Sequence, residues 1–233
     1  MRAGFISAVF LGGPAIADCR LALVLALDVS SSVDAAEDLL QRGGLAAALM
    51  SDDVRDAVFA TDDHVALAIY EWSGRHNQKL LLDWRIIDTP AALFGAASVI
   101  RHSTRSHNDF PTAMGYALGY GVGVFRRGPQ CHNRTLDMAG DGKNNEGFGP
   151  AQAYAAFPFD DVTVNGLVVH VADDPAQTGL IAYYRSQVLH GPGAFLEIAQ
   201  GFEDYERAMR RKLVRELTPP VIGSLTPQQG TQG

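Results

Sequence analysis

The sequence lacks three features, each of which would have assigned the chain to a functional class. It has no basic run, and its 19 Lys and Arg against 26 Asp and Glu give a formal net charge of -7, which disfavours a nucleic-acid partner. Beyond its N-terminal region it has no apolar run of the roughly 20 residues that span a bilayer. It contains neither a G-x-S-x-G nor a Walker pattern, so the familiar nucleophile and phosphate loops are not indicated. What it does have is 233 residues with 47% hydrophobic content, enough for one sizeable core, which predicts a single domain.

The two ends of the chain differ in composition from the rest. Arg2, a mostly apolar stretch over residues 3–14 and the sequence Ala-Ile-Ala at 15–17 match an export signal with its cleavage site. A fortuitously apolar N-terminus is the alternative. Residues 218–233 contain three Pro, three Gly and no charge, which predicts a disordered tail. We therefore expect a signal peptide over 1–17, a domain over 18–217 and a tail over 218–233.

The most informative stretch is LALVLALDVSSSV, from Leu21 to Val33. A continuous apolar run without polar alternation predicts a strand buried on both faces, as in the centre of a parallel α/β sheet. The run ends at Asp28 and is followed by Ser30 and Ser32, at the strand end where open α/β sheets place their sites. Three hard oxygen ligands at a spacing of two form part of a cage for a cation such as Mg²⁺. A strand that simply ends in a polar turn is the alternative interpretation.

The rest of the chain predicts an α/β fold with one irregular edge. Val65–Trp72 and Lys79–Ile87 are separated by a short polar turn, so they predict an antiparallel hairpin at one edge of the sheet. After residue 90 helices and strands alternate as βαβ units require. Two helices carry specific expectations: Asp34–Met50 contains Gly43-Gly44, which disfavours one straight helix, and Thr178–Val188 is predicted to be helical throughout.

A second polar cluster follows the predicted strand Thr135–Ala139 and contains Asp141. Cys19 lies nine residues before Asp28, and Cys131 lies ten before Asp141. If the two aspartates end neighbouring parallel strands, the cysteines begin the same strands with an offset of one residue, or about 3.3 Å. A disulfide tolerates that offset if the strand starts bend slightly, and an exported protein would favour it. Two unrelated thiols are the alternative.

Taken together, three separate segments resemble the von Willebrand factor A (VWA) family. The segments are Asp28-x-Ser30-x-Ser32, Thr112 at the start of a Gly-rich helix, and Asp141 after a later strand. Their order and βα context are similar to the metal-ion-dependent adhesion site (MIDAS) of that family. The likeness covers residues 21–217. The stretches LALVLALDVSSSVD and MAGDGKNN are similar to an exported bacterial branch of unknown function, DUF1194-like.

The resemblance implies an open, mostly parallel, VWA/Rossmann-like sheet with one antiparallel edge strand, helices on both faces and a divalent metal site. Ser30 and Ser32 would bind the ion directly, Thr112 directly or through water, and Asp28 and Asp141 mainly through water. Mg²⁺ is favoured, with Mn²⁺ or Ca²⁺ as alternatives, because no His or Cys in the motif would recruit Zn²⁺. The family usually has Thr or Ser where this chain has Gly140. Asn144 and Asn145, which follow Asp141 closely, are interpreted as turn formers, with orientation of waters or of the loop as the alternative.

The function expected from this resemblance is a non-enzymatic, periplasmic or secreted binding module. Its metal would bridge to an acidic residue of an unidentified protein partner. Two alternatives stay open. A metal-dependent hydrolase acting in phosphoryl transfer also suits aspartates at strand ends, although residue 30 is Ser where a second aspartate would act as acid or base. A structural scaffold with a vestigial metal site is the other.

Overall fold

The computed structural model describes residues 18–172 and 175–219, and the side chain of residue 176 is not described. The predicted signal peptide and all but the first two residues of the predicted tail lie outside the described residues. The strands are β1 (Cys19–Asp28), β2 (His64–Trp72), β3 (Gln78–Ile87), β4 (Asn133–Gly140), β5 (Thr163–Val169) and β6 (Leu196–Ala199). The helices are α1 (Ala35–Met50), α2 (Asp52–Val58), α3 (Pro90–Arg101), α4 (Met114–Arg126), α5 (Pro150–Ala156), α6 (Leu180–Tyr183) and α7 (Tyr205–Leu217).

The strands form one six-stranded sheet in the order β3-β2-β1-β4-β5-β6. β2 and β3 pair antiparallel, and the other four pairs are parallel. The predicted hairpin at one edge and the mostly parallel sheet are both confirmed. β1 has a neighbour on each side, so the polar residues that follow it emerge at the middle of the sheet edge.

Two hydrophobic cores cover the two faces of the sheet, and β1 contributes to both. Leu21, Leu23, Leu25 and Leu27 pack in the core that contains α1, α3 and α7. The alternate residues of β1, which are Ala or Val, pack in the core that contains α4, α5 and α6. This alternation explains the unbroken apolar run, because a strand with helices on both faces has no side for polar residues.

Helix α1 runs unbroken through Gly43-Gly44, so the expected interruption is wrong. Asp34 caps its N-terminus, accepting hydrogen bonds from two backbone N–H groups of the first turn. A Cβ at Gly44 would lie 3.0 Å from the Glu206 backbone nitrogen of α7. The glycine therefore brings two helices close together, which offsets its unfavourable helix propensity of about 1 kcal/mol.

The segment predicted as one helix over Thr178–Val188 has a different form. Residues 175–177 form a 3₁₀ turn, α6 follows, and Tyr184–Val188 continues as a π-helix. Gly179 precedes α6 with φ of 69°, a left-handed conformation that glycine adopts without steric cost. A π-helix is rare and is frequently found at functional sites, and hydrophobic periodicity cannot distinguish it from an α-helix.

A disulfide joins Cys19 and Cys131, whose Cα atoms are 4.6 Å apart. The strand register places Leu21 opposite Asn133 and Leu27 opposite Ala139, so the two cysteines are level. The expected offset of one residue is therefore wrong, because Asp28 is opposite Gly140 and Asp141 lies one residue further on. Within residues 18–172 and 175–219, no helix is long and apolar enough to cross a bilayer.

Candidate metal site

The register of β1 and β4 brings the two halves of the predicted site to one edge of the sheet. Leu27 pairs with Ala139, and the chain continues from there into the loops that carry Ser30, Ser32 and Asp141. Thr112 reaches the same point from the turn before α4. It is held there because the N–H of Ala113 donates to the Ser73 carbonyl after β2, at 3.0 Å.

All five predicted site residues lie together and are connected by hydrogen bonds. Thr112 Oγ1 donates to Ser30 Oγ at 3.2 Å, and the hydroxyls of Ser30 and Ser32 are 3.2 Å apart. Ser32 Oγ in turn donates to Asp141 Oδ1 at 2.7 Å, and Asp28 Oδ1 accepts the backbone N–H of Ser30 at 2.8 Å. Segments more than a hundred residues apart in the chain therefore converge on one group of oxygens.

Asp28 is the most constrained member of the group. It is 0% exposed, and its Oδ2 atom has no hydrogen-bond partner among the described residues. Burial, followed by the nearby carboxylate of Asp141, raises the pKa of Asp28 to about 8. Burial and the repulsion between the two carboxylates both disfavour the ionised form of Asp28. A divalent cation between the carboxylates would offset both effects.

The donor set fits a hard cation. Three hydroxyls and two carboxylates supply oxygen ligands, which Mg²⁺ and Ca²⁺ prefer, and only two of the five carry charge. In the described part of the chain no three His, Cys, Asp or Glu side chains are grouped as a metal site would need. A metal site here therefore depends on the hydroxyls of Ser30, Ser32 and Thr112, and the assignment of these residues as ligands stays a prediction.

A cleft of about 390 Å³ opens above the group and is lined by Ser32, Thr112 and Asp141. Its further walls include Lys143 and the apolar side chain of Phe202. Lys143 Nζ donates to the Thr178 carbonyl at 2.7 Å. Because Ser32 is exposed while Ser30 is buried, one side of the oxygen group faces solvent and the other faces the core.

Arg105 holds the loop that follows β1, a role that sequence reasoning missed. Its guanidinium donates to the carbonyls of Val33 at 2.6 Å, of Val29 at 2.7 Å and of Ser30 at 3.2 Å. Each of these is a hydrogen bond from a charged donor, the stronger class. A single arginine in a polar loop has no periodicity or motif that would have indicated this contact.

A buried charge network fixes the loop that carries Arg105. Arg42 of α1 donates to Glu71 of β2 at 2.5 Å and to Asp38 at 2.9 Å. Glu71 also accepts hydrogen bonds from the backbone N–H and the hydroxyl of Ser106. The carboxylate of Glu71 thus connects the central sheet to the loop over the site.

Asn144 and Asn145 do more than form a turn. Asn145 Oδ1 accepts the N–H of Thr112 at 2.8 Å, and Asn144 Oδ1 accepts the N–H of Met114 at 2.8 Å. The backbone N–H of Asn145 donates to the Thr112 carbonyl at 3.0 Å. These asparagines therefore tie the loop after β4 to the start of α4 and fix the position of Thr112. Their place three and four residues after Asp141 was the signal in the sequence.

Comparisons with known proteins agree with this architecture. The family model described as a protein of unknown function, DUF1194, matches residues 18–221. Among curated proteins there is no match to the chain. Proximal thread matrix protein 1 from the mussel byssus is 16% identical with a TM-score of 0.62, and the match covers 86% of this chain and 48% of that one. Another structure of the mussel protein is described as having a zinc-occupied MIDAS motif.

Two bacterial structures also match the fold of this chain over most of its length. A von Willebrand factor type A protein from Catenulispora acidiphila is 14% identical, with a TM-score of 0.56 over 86% of this chain and 43% of that one. The pilus adhesin SpaC from Lactobacillus rhamnosus GG is 12% identical, with a TM-score of 0.60 over 85% of this chain and 30% of that one. The chain spans less than half the length of these structures. The likeness shows the VWA-like fold alone.

Proposed function

Because the chain belongs to the DUF1194 family, whose description states no function, we propose one from the site: a binding module that holds a protein partner through a divalent cation. The cation would lie among Ser30, Ser32, Thr112, Asp28 and Asp141. Mg²⁺ is the proposed ion, with Mn²⁺ or Ca²⁺ as substitutes, because all five side chains offer hard oxygen. The partner would contribute a Glu or Asp carboxylate.

The observation that carries this proposal is the buried, unpartnered Oδ2 of Asp28 next to a connected series of hydroxyls. A buried carboxyl oxygen without a partner is costly, and a cation held directly or through water would satisfy it. Because Asp28 and Asp141 would bind mainly through water, the direct protein ligands are neutral hydroxyls, so the ion stays electrophilic and attracts a further anion. The exposed side of the group, at Ser32 and the cleft above it, is where that anion would enter.

Export to the periplasm or the outside of a bacterial cell is part of the proposal. The signal-like residues 1–17 and the disulfide between Cys19 and Cys131 support it, since disulfides persist in oxidising compartments. The described fold supports a mature domain over 18–217. Of the proteins that share the fold, one is described as a pilus adhesin and another as a thread matrix protein of the mussel byssus, which supports a role in protein binding.

The direct test is metal binding by isothermal titration calorimetry with Mn²⁺ and Mg²⁺. Asp28→Ala with Asp141→Ala should abolish binding, whereas Asp161→Ala, an exposed carboxylate at the opposite end of the sheet, should leave it unchanged. Capture of a partner from envelope extract should then be lost both in the double variant and with a chelator. A wild-type protein that binds no divalent ion would contradict the proposal and favour the scaffold alternative.

The hydrolase alternative has its own test. A screen with generic phosphatase and esterase substrates, with Mg²⁺ or Mn²⁺ present, should give no turnover above the Asp28→Ala variant. Metal-dependent turnover that this substitution abolishes would replace the binding function with an enzymatic one.

A further inference from the structure

We propose that Tyr184 is a positioning residue of the metal site, with its hydroxyl directed at Asp28 across the Cα of Gly140. This inference rests on the proposed function, because it concerns the carboxylate that would hold the ion. Tyr184 contributes no ligand in this proposal. It would keep the Asp28 carboxylate oriented toward the cation.

The first observation is the space above Gly140. A Cβ on this residue would lie 2.7 Å from Asp28 Oδ2 and 2.7 Å from the Tyr184 hydroxyl. The two oxygens therefore share the small volume that the missing side chain leaves open. Any larger residue at position 140 would occupy the place where they meet.

The second observation is that both oxygens are buried and neither has another partner. Asp28 and Tyr184 are each 0% exposed, and both Asp28 Oδ2 and the Tyr184 hydroxyl lack a hydrogen bond among the described residues. One is an acceptor and the other a donor. A small rotation that joins them satisfies two buried groups at once, whereas a buried polar group left unsatisfied is destabilising.

The third observation is the local backbone. Tyr184 is the first residue of the π-helix, and the preceding Tyr183 accepts a hydrogen bond from the N–H of Asn144 at 3.3 Å. The two consecutive tyrosines thus approach the site from one turn, Tyr183 at the loop after β4 and Tyr184 at the end of β1. π-helices are rare and frequently occur at functional sites, which agrees with a role for Tyr184 at the metal site.

A phenol suits this position chemically. It donates a hydrogen bond without bringing a positive charge that would compete with the metal. A phenol has an ordinary pKa of about 10, so it carries its proton at neutral pH and can donate. Outer-shell donors of this kind orient carboxylates at metal sites.

The chain offers a matched control in Tyr205. This tyrosine is also 0% exposed, its hydroxyl also lacks a partner among the described residues, and it packs in the core on the other face of the sheet. Tyr184→Phe and Tyr205→Phe each remove one buried hydroxyl and keep the ring. We therefore expect similar small changes in melting temperature of the metal-free protein.

The experiment compares the Mn²⁺ dissociation constants of wild type, Tyr184→Phe and Tyr205→Phe by calorimetry. Tyr184→Phe should bind Mn²⁺ at least about 10-fold more weakly than wild type, because loss of a hydrogen-bond partner of a metal ligand has an effect of this size. The dissociation constant of Tyr205→Phe should lie within about two-fold of the wild-type value. A near-ultraviolet difference spectrum on addition of Mg²⁺ gives a second measurement. Its tyrosine band should be of similar size in wild type and Tyr205→Phe and clearly smaller in Tyr184→Phe, where only Tyr183 still reaches the site from this turn.

Equal Mn²⁺ affinities in the two variants, or a tyrosine band of undiminished size in Tyr184→Phe, would overturn the role of Tyr184 and leave the metal site intact. Absence of Mn²⁺ binding by the wild type would instead overturn the proposed function, and this inference with it. The two failures are therefore distinguishable.

Discussion

Replacing Lys212 by methionine should strongly destabilise the protein, because this lysine neutralises a buried acidic pair. Lys212 lies on α7 and is 0% exposed. Its Nζ is 2.9 Å from Asp137 Oδ1 of β4 and 2.5 Å from Glu216 Oε1, one turn further along α7. Asn165 of β5 also donates to Glu216, at 2.7 Å. These contacts connect α7 to β4 and β5 of the sheet.

The magnitude follows from what the substitution leaves behind. Methionine keeps most of the apolar contact of the lysine stem but removes the only cation of the cluster. Two buried carboxylates then face each other, and breaking a buried ion pair in this way costs about 3 to 5 kcal/mol. For a domain of this size each kcal/mol lowers the melting temperature by about 2 to 4 °C, so we expect a decrease of roughly 10 °C.

The pH dependence gives this prediction a second signature. Burial raises the pKa of Asp137 to about 7, from an ordinary value near 3.8, and Lys212 opposes that rise. An acid with a raised pKa in the folded state binds more protons folded than unfolded, so its contribution to stability falls as the pH rises from about 4 to about 7. Without Lys212 the pKa rises further. The deficit of the variant should therefore be larger at pH 8 than at pH 5.

Urea denaturation of both proteins at the two pH values measures the effect. Arg211→Met is the matched control, because Arg211 is the preceding residue of α7 and its ion pair with Glu197 is partly exposed, which predicts a cost below about 1 kcal/mol. Adding Asp137→Asn to Lys212→Met should recover part of the loss. If Lys212→Met destabilised the protein no more than Arg211→Met, or equally at both pH values, the reasoning would be refuted.

Three further variants test other parts of the structure by urea denaturation. Cys19→Ser with Cys131→Ser opens a bridge between residues 112 apart, and the loop-closure model predicts a loss of about 4 to 5 kcal/mol; no loss would contradict it. Gly140→Ala places a methyl group 2.7 Å from two side-chain oxygens and should cost about 1 to 3 kcal/mol, whereas an unchanged free energy of unfolding would mean that the space is not filled. Asn145→Ala leaves the N–H of the largely buried Thr112 without its side-chain partner, so a cost of about 1 to 3 kcal/mol is expected, and a neutral result would argue against that role.

Some parts of the fold and site could be predicted from the sequence because they depend on local patterns. The apolar run of β1 required a strand covered on both faces, and the two strands on either side of a short polar turn required a hairpin. The spacing of Asp28, Ser30 and Ser32 is also local, since both serines follow the end of β1 within four residues. Thr112 and Asp141 could be added only through the order of motifs in a resembling family.

The tertiary structure alone decided everything that depends on register and on contacts between distant segments. The register of β1 and β4 placed Gly140 beside Asp28 and Cys19 opposite Cys131. It also left open the space next to Gly140 that the Tyr184 hydroxyl reaches. Arg105 and Lys212 acquired their roles from the carbonyls and carboxylates that folding brought to them. A single polar side chain carries no periodicity, so the sequence cannot say which buried group it will meet; only the packed chain, where an unpaired buried charge is costly, determines that pairing.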